Sequence, residues 1–242
     1  MTTTVITSNQ SWVCPTGVTK IDVALYGGGG GGGVTTVFGA NGRAGVNGST
    51  TTKTLISVTP GTSYPIVVGA GGTKSWWNAG LSIVIVGTAG GDSTGFGWTG
   101  AGGANGGENA GDPVPVGNAG AGGVPRYADG ADGTGGSVTI TYNLPSATFT
   151  GTPLVGPKPL SVDFTGPADC TTYAWDFGDD DDTDDDIQSP THSYTTPGKK
   201  TVILATTNDY GSNATTRTGY VNVLFKTRKH CAGVCSDELR KV

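Results

Sequence analysis

Short stretches of alternating apolar and polar residues recur along the whole chain. The clearest is residues 20–26 (KIDVALY), and residues 50–58, 63–68 and 138–142 have a similar strand-like pattern. A period of two is typical of a half-buried β-strand. The three- and four-residue spacing of a long amphipathic helix is not visible in the sequence, so the pattern predicts an all-β chain.

Turn-forming and aromatic residues refine this prediction. Pro60 and Gly61 separate the runs at 50–58 and 63–68 and favour a tight turn, so we expect these two strands to form a hairpin. Residues 81–86 (LSIVIV) are almost continuously apolar, as in a buried strand. Trp12 lies near the turn residues Pro15 and Gly17, and we expect it in the core.

Glycine interrupts the strand pattern abruptly. Seven consecutive glycines, residues 27–33, follow the first long strand. Glycine then falls at every third position within four stretches, namely 39–48, 97–106, 117–123 and 130–136. A polyproline II helix has three residues per turn, so this spacing leaves one face bare and lets a neighbouring backbone approach to hydrogen-bonding distance. We therefore predict extended, polyproline-II-like glycine segments packed side by side or on strands.

Two other structures compete with this prediction. A flexible low-complexity linker is the interpretation that glycine content alone would favour. A collagen triple helix needs long unbroken triplets rich in proline, whereas only five prolines lie between residues 27 and 136. We expect order, because strand-like runs interrupt the glycine region and the glycines keep their spacing.

Composition divides the chain. Of its 242 residues 44 are glycine, and 36 of these lie in the first 142 positions. We predict a glycine-rich β domain at residues 1–143, a second β domain at 146–224, and a basic, cysteine-containing tail at 225–242. Strand-like runs in the second domain recur at the spacing of an immunoglobulin-like sandwich.

Three motifs in the first domain resemble a known family. They are residues 12–19 (WVCPTGVT), 58–72 (VTPGTSYPIVVGAGG) and 133–142 (GTGGSVTITY). Followed by a strand and the polyglycine run, the first motif looks like the start of the glycine-rich domain of bacteriophage tail proteins. The other two are similar to its second hairpin and its closing strand. The resemblance covers residues 8–142 and implies a virion structural protein.

A longer series of motifs lies in the second domain. Residues 173–179 (YAWDFGD) are followed in order by 189–194 (SPTHSY), 196–198 (TPG) and 201–208 (TVILATTN). This series resembles the PKD domain, an immunoglobulin-like module, over residues 146–224. The resemblance implies a spacer or binding module.

The PKD-like motif also carries expectations for single residues. Trp175 and Phe177 share one strand face, so we expect both in the core. Gly178 is expected to open a tight turn. His192 and Tyr194 are expected to pack and form hydrogen bonds within the following strand.

Charge and hydropathy exclude several classes of protein. The net charge of −5 provides no basic face for nucleic acid. No apolar run approaches the roughly 18 residues of a membrane span, so we expect no membrane insertion. No signal sequence precedes residues 2–6, and we expect no secretory route. A surface rich in Thr, Ser, Gly and Asn is typical of an extracellular or virion protein, so we expect a virion location.

No catalytic pattern is recognisable in the sequence. A nucleophile elbow, a P-loop and paired catalytic carboxylates are missing. The two histidines are His192, in the PKD-like motif, and His230, in the tail. We expect no enzymatic activity and no cofactor.

Aromatic residues within the glycine region are the candidate binding residues. They are Trp76, Trp77, Phe96 and Trp98. Such side chains stack on sugar rings or on a partner surface when they lie at loop tips. The alternative, which we favour from the sequence, is that they fill a small core.

An acidic loop is the candidate metal site. Eight aspartates lie between residues 176 and 186, and Asp179, Asp181 and Asp184 are candidate ligands for Ca²⁺, which prefers oxygen ligands. The spacing of an EF-hand is missing. A solvated acidic loop is therefore the favoured interpretation.

The cysteines allow more than one arrangement. Cys231 and Cys235 form a local disulfide or remain unpaired thiols in a mobile tail. We prefer both to a zinc site, because these two cysteines and His230 supply at most three ligands at an unusual spacing. No sequence argument pairs Cys14 with Cys170.

Together these observations predict a bacteriophage virion structural protein on the particle surface, a minor tail or fibre component with an adhesive role. The expected partners are other virion proteins, further copies of the chain in a homo-oligomer such as a trimer, and a host cell-surface glycan or protein. Two alternatives stay open. One is a capsid decoration protein or head fibre, and the other is a secreted bacterial carbohydrate-binding module.

Overall fold

The computed structural model describes residues 1–34, 44–78, 83–85, 87–104, 129–179 and 186–226, with the backbone alone described at 76–78 and 83–85. All regular secondary structure in these residues is β-strand, which confirms the predicted all-β fold class. They contain no helix long and apolar enough to cross a membrane. The chain divides into two compact units, residues 1–144 with 209–211 and residues 145–208 with those from 212 onward.

The strands before residue 144 are short. They are β1 (Thr2–Ile6), β2 (Gln10–Val13), β3 (Lys20–Tyr26), β4 (Thr50–Ser57), β5 (Ser63–Ile66), β6 (Trp76–Asn78), β7 (Ile83–Ile85), β8 (Ser93–Gly95), β9 (Trp98–Gly100) and β10 (Ser137–Tyr142). The later strands are β11 (Thr150–Thr152), β12 (Val155–Pro157), β13 (Leu160–Thr165), β14 (Thr172–Asp176), β15 (Thr191–Tyr194), β16 (Gly198–Asn208) and β17 (Gly211–Leu224).

A four-stranded antiparallel sheet, in the order β1-β10-β3-β4, forms the base of the first unit. β3 alternates as predicted, with its three apolar side chains buried. Val138 and Ile140 of β10 are fully buried in the same core. Trp12 on β2 is 7% exposed, which confirms its predicted place in the core.

The predicted hairpin between residues 50–58 and 63–68 is wrong. β4 pairs with β3, whereas β5 pairs with β2 in a separate two-stranded sheet. The turn with Gly61 at φ 77° therefore connects two sheets. Local turn chemistry marked the turn correctly, but each strand pairs where its apolar face is covered, and Tyr64 of β5 lies against Trp12.

Glycine residues 27–33, the central segment, form backbone hydrogen bonds with a period of three. Gly27 and Gly30 donate to Ser49 and Val46, Gly28 and Gly31 to Gly91 and Thr88, and Gly29 and Gly32 to Thr134 and Ala131, with N···O distances of 2.7 to 3.2 Å. Successive donors thus point to three different neighbours, each running antiparallel to the central segment. Three residues per turn is the geometry of polyproline II.

Carbonyl groups of the central segment accept further hydrogen bonds. Gly103 donates to Gly28, while Gly72 and Ser75 donate to Gly29 and Gly32. The central segment is therefore surrounded by extended neighbours and bonded to them in several directions. This arrangement confirms the predicted side-by-side packing of polyproline-II-like glycine segments.

Two of the neighbouring segments turn their triplet glycines toward the central segment. A Cβ atom at Gly45 or Gly48 would overlap the backbone of Gly30 or Gly27, respectively. In the segment 130–136, a Cβ at every third residue from Gly130 would overlap the backbone of residues 26–33 in the same way. The glycine spacing is thus required by the close approach of the chains.

The second unit is a β-sandwich. Its two sheets have the orders β11-β13-β15 and β12-β17-β16-β14, and their facing side chains form one core. Trp175 and Phe177 are 2% and 0% exposed, as predicted, and their rings stack at a centroid distance of 5.8 Å. Gly178 has φ 74° and donates to Asp176 Oδ1 at 2.8 Å, which confirms the predicted tight turn.

Candidate functional site: an aromatic groove on the first unit

Phe96 and Trp98 lie on one tight hairpin formed by β8 and β9. Phe96 and Gly97 connect the strands and have φ values of 54° and 81°. Positive φ at both central residues is the arrangement of a type I′ turn, which normally has Asn or Gly at the first position. Phenylalanine is unfavourable in this region of φ and ψ, and such strain clusters at functional sites.

Three contacts hold this hairpin in place. The Ser93 hydroxyl donates to Tyr26 O at 2.6 Å and accepts from Gly69 N at 2.9 Å. Thr94 forms an antiparallel β-bridge with Val67, the residue after β5, in which each backbone N–H donates to the other residue's carbonyl. The Thr51 hydroxyl of β4 donates to Thr99 O at 2.8 Å. The hairpin is therefore held against the sheet before any ligand arrives.

The ring of Phe96 is fixed by an aromatic cluster. It lies edge-on to Trp12 at a centroid distance of 5.8 Å and contacts Tyr64 at 5.0 Å. The Tyr64 hydroxyl accepts a hydrogen bond from Thr59 N at 2.8 Å, which fixes the far end of that ring. These ring contacts stabilise the turn in which Phe96 has positive φ.

A groove of about 620 Å³ opens beside this hairpin. Its lining residues are Ile56, Ser57, Tyr64, Pro65, Thr94, Gly95, Phe96, Gly97, Trp98 and Thr99. None of them is charged. Trp98 remains 41% exposed, so an indole surface is available to a ligand next to several hydroxyl groups.

Lys53 of β4 lies over Trp98. Its Nζ is 4.1 Å from the indole centroid, a cation–π contact. The ion pairs of the described residues are Lys74–Asp129 and Asp179–His192. Lys53 therefore covers one side of the indole, and none of the ion pairs within the described residues involves it.

A β-bulge in β4 places Lys53 beside the groove. The register of β3 and β4 shifts so that Thr54 and Leu55 both stand opposite Asp22. In a regular strand Lys53 and Ile56 would point to opposite faces, because their spacing is odd. The extra residue of the bulge puts Lys53 and Ile56 on the same face of β4, the face next to Trp98. Leu55 is instead 40% exposed, with φ 52°.

Asp22 holds the bulge in place. Its Oδ1 accepts a hydrogen bond from Leu55 N, and its Oδ2 accepts one from the Tyr210 hydroxyl, both at 2.8 Å. The bond to the Asp22 carboxylate, with burial, raises the pKa of Tyr210. Asp22, on the neighbouring strand β3, and Tyr210 are therefore positioning residues, since they support the strained backbone of β4 at Leu55.

The glycine-rich domain family matches residues 3–220. The chain belongs to this family. The match begins earlier and ends later than the range of 8–142 expected from the motifs, and it runs into the second unit. No curated protein matches the chain.

The other two predicted aromatic residues are described only by their backbone. Trp76 and Trp77 lie on β6, which pairs with β7 at Ile85 and Val84. Their side chains lie outside the described residues. The structure therefore brings together Phe96 and Trp98 of the four candidates.

Sequence analysis missed three side chains of the groove. Tyr64 and Ile56 line it, and Lys53 lies at its edge. One signal was present in the sequence: the adjacent apolar pair Leu55 and Ile56 breaks the alternation of β4. Such a break marks a bulge, but the partner strand decides its position.

Asp179, the first predicted calcium ligand, points into the second unit. Its Oδ2 lies 3.0 Å from His192 Nε2, and its side chain is 10% exposed. The His192 ring stacks on Phe177 at 4.1 Å, so it packs and forms a hydrogen bond as predicted. Asp181 and Asp184 lie outside the described residues. Among the described residues, no three His, Cys, Asp or Glu side chains are grouped to hold a metal ion.

Tyr194 completes this buried cluster. Its hydroxyl and Asp179 Oδ1 are buried without a hydrogen-bond partner in the described part of the chain. Burial, with the nearby charges of Asp179 and Asp176, raises the pKa of Tyr194. The packing predicted for Tyr194 is confirmed, but its hydroxyl forms no hydrogen bond with the described residues.

The two described cysteines are free thiols. Cys14 is buried and its Sγ lies 3.4 Å from Val18 O, while Cys170 is partly buried. Burial raises the pKa of both thiols, which makes them poor nucleophiles at neutral pH. The predicted pair Cys231 and Cys235 lies outside the described residues.

Proposed function

We propose that this protein is a bacteriophage virion structural protein, displayed on the particle surface as a minor tail or fibre component, and that it adheres to the host cell through the groove of the first unit. The observation that carries the adhesive role is the groove itself. It is concave, uncharged along its lining and has a partly exposed indole, Trp98, on a braced hairpin. Binding sites commonly combine these features.

Sequence similarity supports the virion context. The motifs at 12–19, 58–72 and 133–142 resemble the glycine-rich domain of phage tail proteins, and the chain belongs to the glycine-rich domain family. The second unit we assign to the PKD class as a spacer. Support for this comes from its ordered motifs and its sandwich of two sheets.

Adhesion by such a protein needs many copies. A single groove of this size offers a modest contact, and repetition on a particle converts modest contacts into strong attachment. We propose a homotrimer, bound to other virion proteins, as the form in which the groove is displayed. β1 and β4 are the edge strands of the four-stranded sheet, and edge strands can pair with another chain.

Cell binding tests the adhesive role. Full-length protein carrying a fluorescent label is mixed with host cells, and bound label is measured by flow cytometry. Trp98→Ala is expected to lower the apparent affinity about tenfold or more, because exposed tryptophans dominate contact energies. Tyr26→Ala is the matched control, since Tyr26 lies on the same unit and is also 41% exposed. Equal binding by both variants and the parent protein would refute a role for the groove.

Immunogold labelling tests the place on the particle. Antibody to the second unit is applied to phage whose genome encodes this chain, and particles are viewed by electron microscopy. Label at the tail tip or fibres supports the proposal. Label over the head would instead identify a capsid decoration protein or head fibre, and unlabelled particles would leave the secreted carbohydrate-binding module.

A further inference from the structure

We infer that a cavity on the second unit binds a carboxylate group, with Arg217 as the residue that recognises it. The cavity has a volume of about 320 Å³, and Arg217 lines it together with Phe149 and three threonines, Thr148, Thr150 and Thr165. This inference goes beyond the proposed function, which gives the second unit the role of a spacer. It does not depend on the groove of the first unit.

Two aromatic rings hold the guanidinium group of Arg217. Its Cζ lies 4.8 Å from the ring centroid of Phe149 and 4.8 Å from that of Tyr220. The two rings meet edge to face at a centroid distance of 5.5 Å, and the Tyr220 hydroxyl accepts a hydrogen bond from Gly151 N at 3.0 Å. Because its neighbours are fixed in this way, the guanidinium loses little conformational freedom when it binds a ligand.

The charge of Arg217 is not neutralised within the described residues. Their ion pairs are Lys74–Asp129 and Asp179–His192, and none of the described residues that line the cavity is Asp or Glu. A cation–π contact stabilises the positive charge but does not provide a hydrogen-bond acceptor in the plane of the guanidinium. An anion in the cavity can therefore bind N–H donors of Arg217.

Threonine hydroxyls supply further donors around the cavity. Thr150 of β11 stands opposite Thr165 of β13 in the strand register, so the two side chains lie on one face of that sheet. Thr148 differs from them, because its hydroxyl is hydrogen-bonded to that of Ser146 at 2.9 Å. We therefore assign Thr150 and Thr165 as the hydroxyls that assist Arg217.

A carboxylate fits this cavity better than a phosphate. One guanidinium can bind both oxygens of a carboxylate through two parallel hydrogen bonds, whereas phosphate sites usually add a helix N-terminus or further cations. The net charge of the chain is −5, so its overall field does not attract a dianion. The volume lies near the lower end of the range for ligand pockets, which suits a carboxylate with a few attached atoms.

Such a carboxylate has two sources, a free organic acid or an acidic side chain of another protein. Titration of the isotopically labelled full chain, followed by NMR, tests for both. One pair of probes is propionate and neutral propionamide. The other is glutamate with both backbone ends capped and glutamine capped in the same way. We expect each carboxylate to bind with a Kd on the order of 1 mM and each amide about tenfold more weakly, with the difference reduced at high salt.

Two signals report binding at the proposed place. The first is the Nε–H signal of Arg217, which is identified by its loss in Arg217→Lys. The second is the set of backbone amide signals of residues 148–150 and 165–166, which remains measurable in every variant. Both should shift and saturate with either carboxylate.

Variants separate the fork of Arg217 from its charge. Arg217→Gln should abolish the preference for carboxylate over amide, while Arg217→Lys keeps the charge but should bind carboxylate about fivefold more weakly, because a lysine cannot bind both oxygens in the same way. Lys200→Gln is the control, since Lys200 lies in the same unit and its Nζ donates to Thr196 Oγ1 at 2.8 Å. It should bind as the parent does.

Thr150→Val tests the same cavity without removing a ring contact of Arg217. We expect it to weaken carboxylate binding two- to threefold, because one hydrogen bond to a charged group is lost. The indole N–H signal of Trp175, which donates to Ile187 O at 2.9 Å in the core, shows in each variant whether the second unit is folded.

Each result supports or overturns the inference. It is overturned if neither carboxylate shifts the signals, if the amides bind as tightly, or if folded Arg217→Gln keeps the preference. Tighter binding of capped glutamate than of propionate identifies an acidic side chain of another protein as the ligand, and the reverse or equal affinity identifies a free organic acid. Cell binding through Trp98 is a separate measurement, so failure here leaves the proposed function standing.

Discussion

Side-chain packing stabilises the second unit, whereas backbone hydrogen bonds stabilise much of the first. In the second unit the described core cluster contains six aromatic residues, whereas that of the first unit contains one, Trp12. The first unit instead relies on backbone hydrogen bonds among glycine segments, in which carbonyl and amide groups of neighbouring chains meet without side chains between them.

This difference determines which substitutions each unit tolerates. A sandwich core is damaged mainly when side-chain atoms are removed, because a cavity is left. The glycine bundle is damaged when a single atom is added, since the backbones already touch. The candidate groove lies beside a hairpin whose Ser93 hydroxyl bonds to Tyr26 O, directly before the central segment, and to Gly69 N.

The largest expected effect comes from one added methyl group. In Gly133→Ala the new Cβ would overlap the backbone of Gly29 and Gly30, so we expect the first unit to lose about 3 kcal/mol or more of unfolding free energy. The second unit should unfold as before. Calorimetry resolves the two transitions.

Gly135→Ala is the control for this substitution. A Cβ at Gly135 would meet only Gly69 O, at an ordinary 3.5 Å, so its effect should stay below about 1 kcal/mol. If the two variants were equally stable, the tight glycine packing of the first unit would be wrong.

An intermediate effect is expected at high pH in the second unit. The pKa of Tyr194 is raised in the folded state, so its contribution to stability is complete below about pH 10, the unfolded pKa, and is lost as the pH rises above it. Tyr194→Phe should therefore lose less stability than the parent between about pH 9 and pH 11. Urea unfolding at both pH values measures this difference.

At neutral pH the same variant should be no less stable than the parent. The Tyr194 hydroxyl has no hydrogen-bond partner in the described residues, and removing an unsatisfied buried group gains up to about 1 kcal/mol. Some alkaline loss will remain, because the pKa of Tyr173 is also raised by burial. An alkaline loss identical in parent and variant would exclude Tyr194 as its source.

The smallest expected effect concerns the support of the groove. Tyr210→Phe removes the hydroxyl that donates to Asp22, and we expect the first unit to lose about 1 kcal/mol in thermal unfolding. Because the bulge at Leu55 loses one of its supports, binding through the groove should weaken two- to threefold, on the order of 0.5 kcal/mol. Tyr142→Phe, on the same unit but outside this contact, should leave both values unchanged.

Much of the fold was predictable from local patterns. The alternation of β3 and β10 predicted their buried faces, and the position of Trp175 and Phe177 on one strand face predicted the sandwich core. The pairing of β4 was not predictable. Pro60 and Gly61 favour a turn after β4, but a turn does not determine whether β4 pairs with β5 or with β3. Choice of partner depends on contacts distant in the sequence.

The candidate site was predictable only in part. Phe96 and Trp98 were candidates because aromatic residues are conspicuous among glycines. Lys53 was not a candidate, because the face of β4 from which its side chain projects depends on the bulge opposite Asp22. The position of that bulge is set by the pairing of β3 with β4. The sequence also left Asp179 as a loop residue, whereas the structure turns it inward to His192.

The sequence by itself determined the all-β class, the three-residue period of the glycine segments and the aromatic core of the second unit. These follow from local rules, because alternation, triplet spacing and side-chain size act within a few residues. Only the tertiary structure decided which strands pair, which segments surround residues 27–33, and which side chains share the groove. Those features depend on backbone and side-chain contacts between residues far apart in the chain, such as Lys53 with Trp98 and Asp22 with Tyr210.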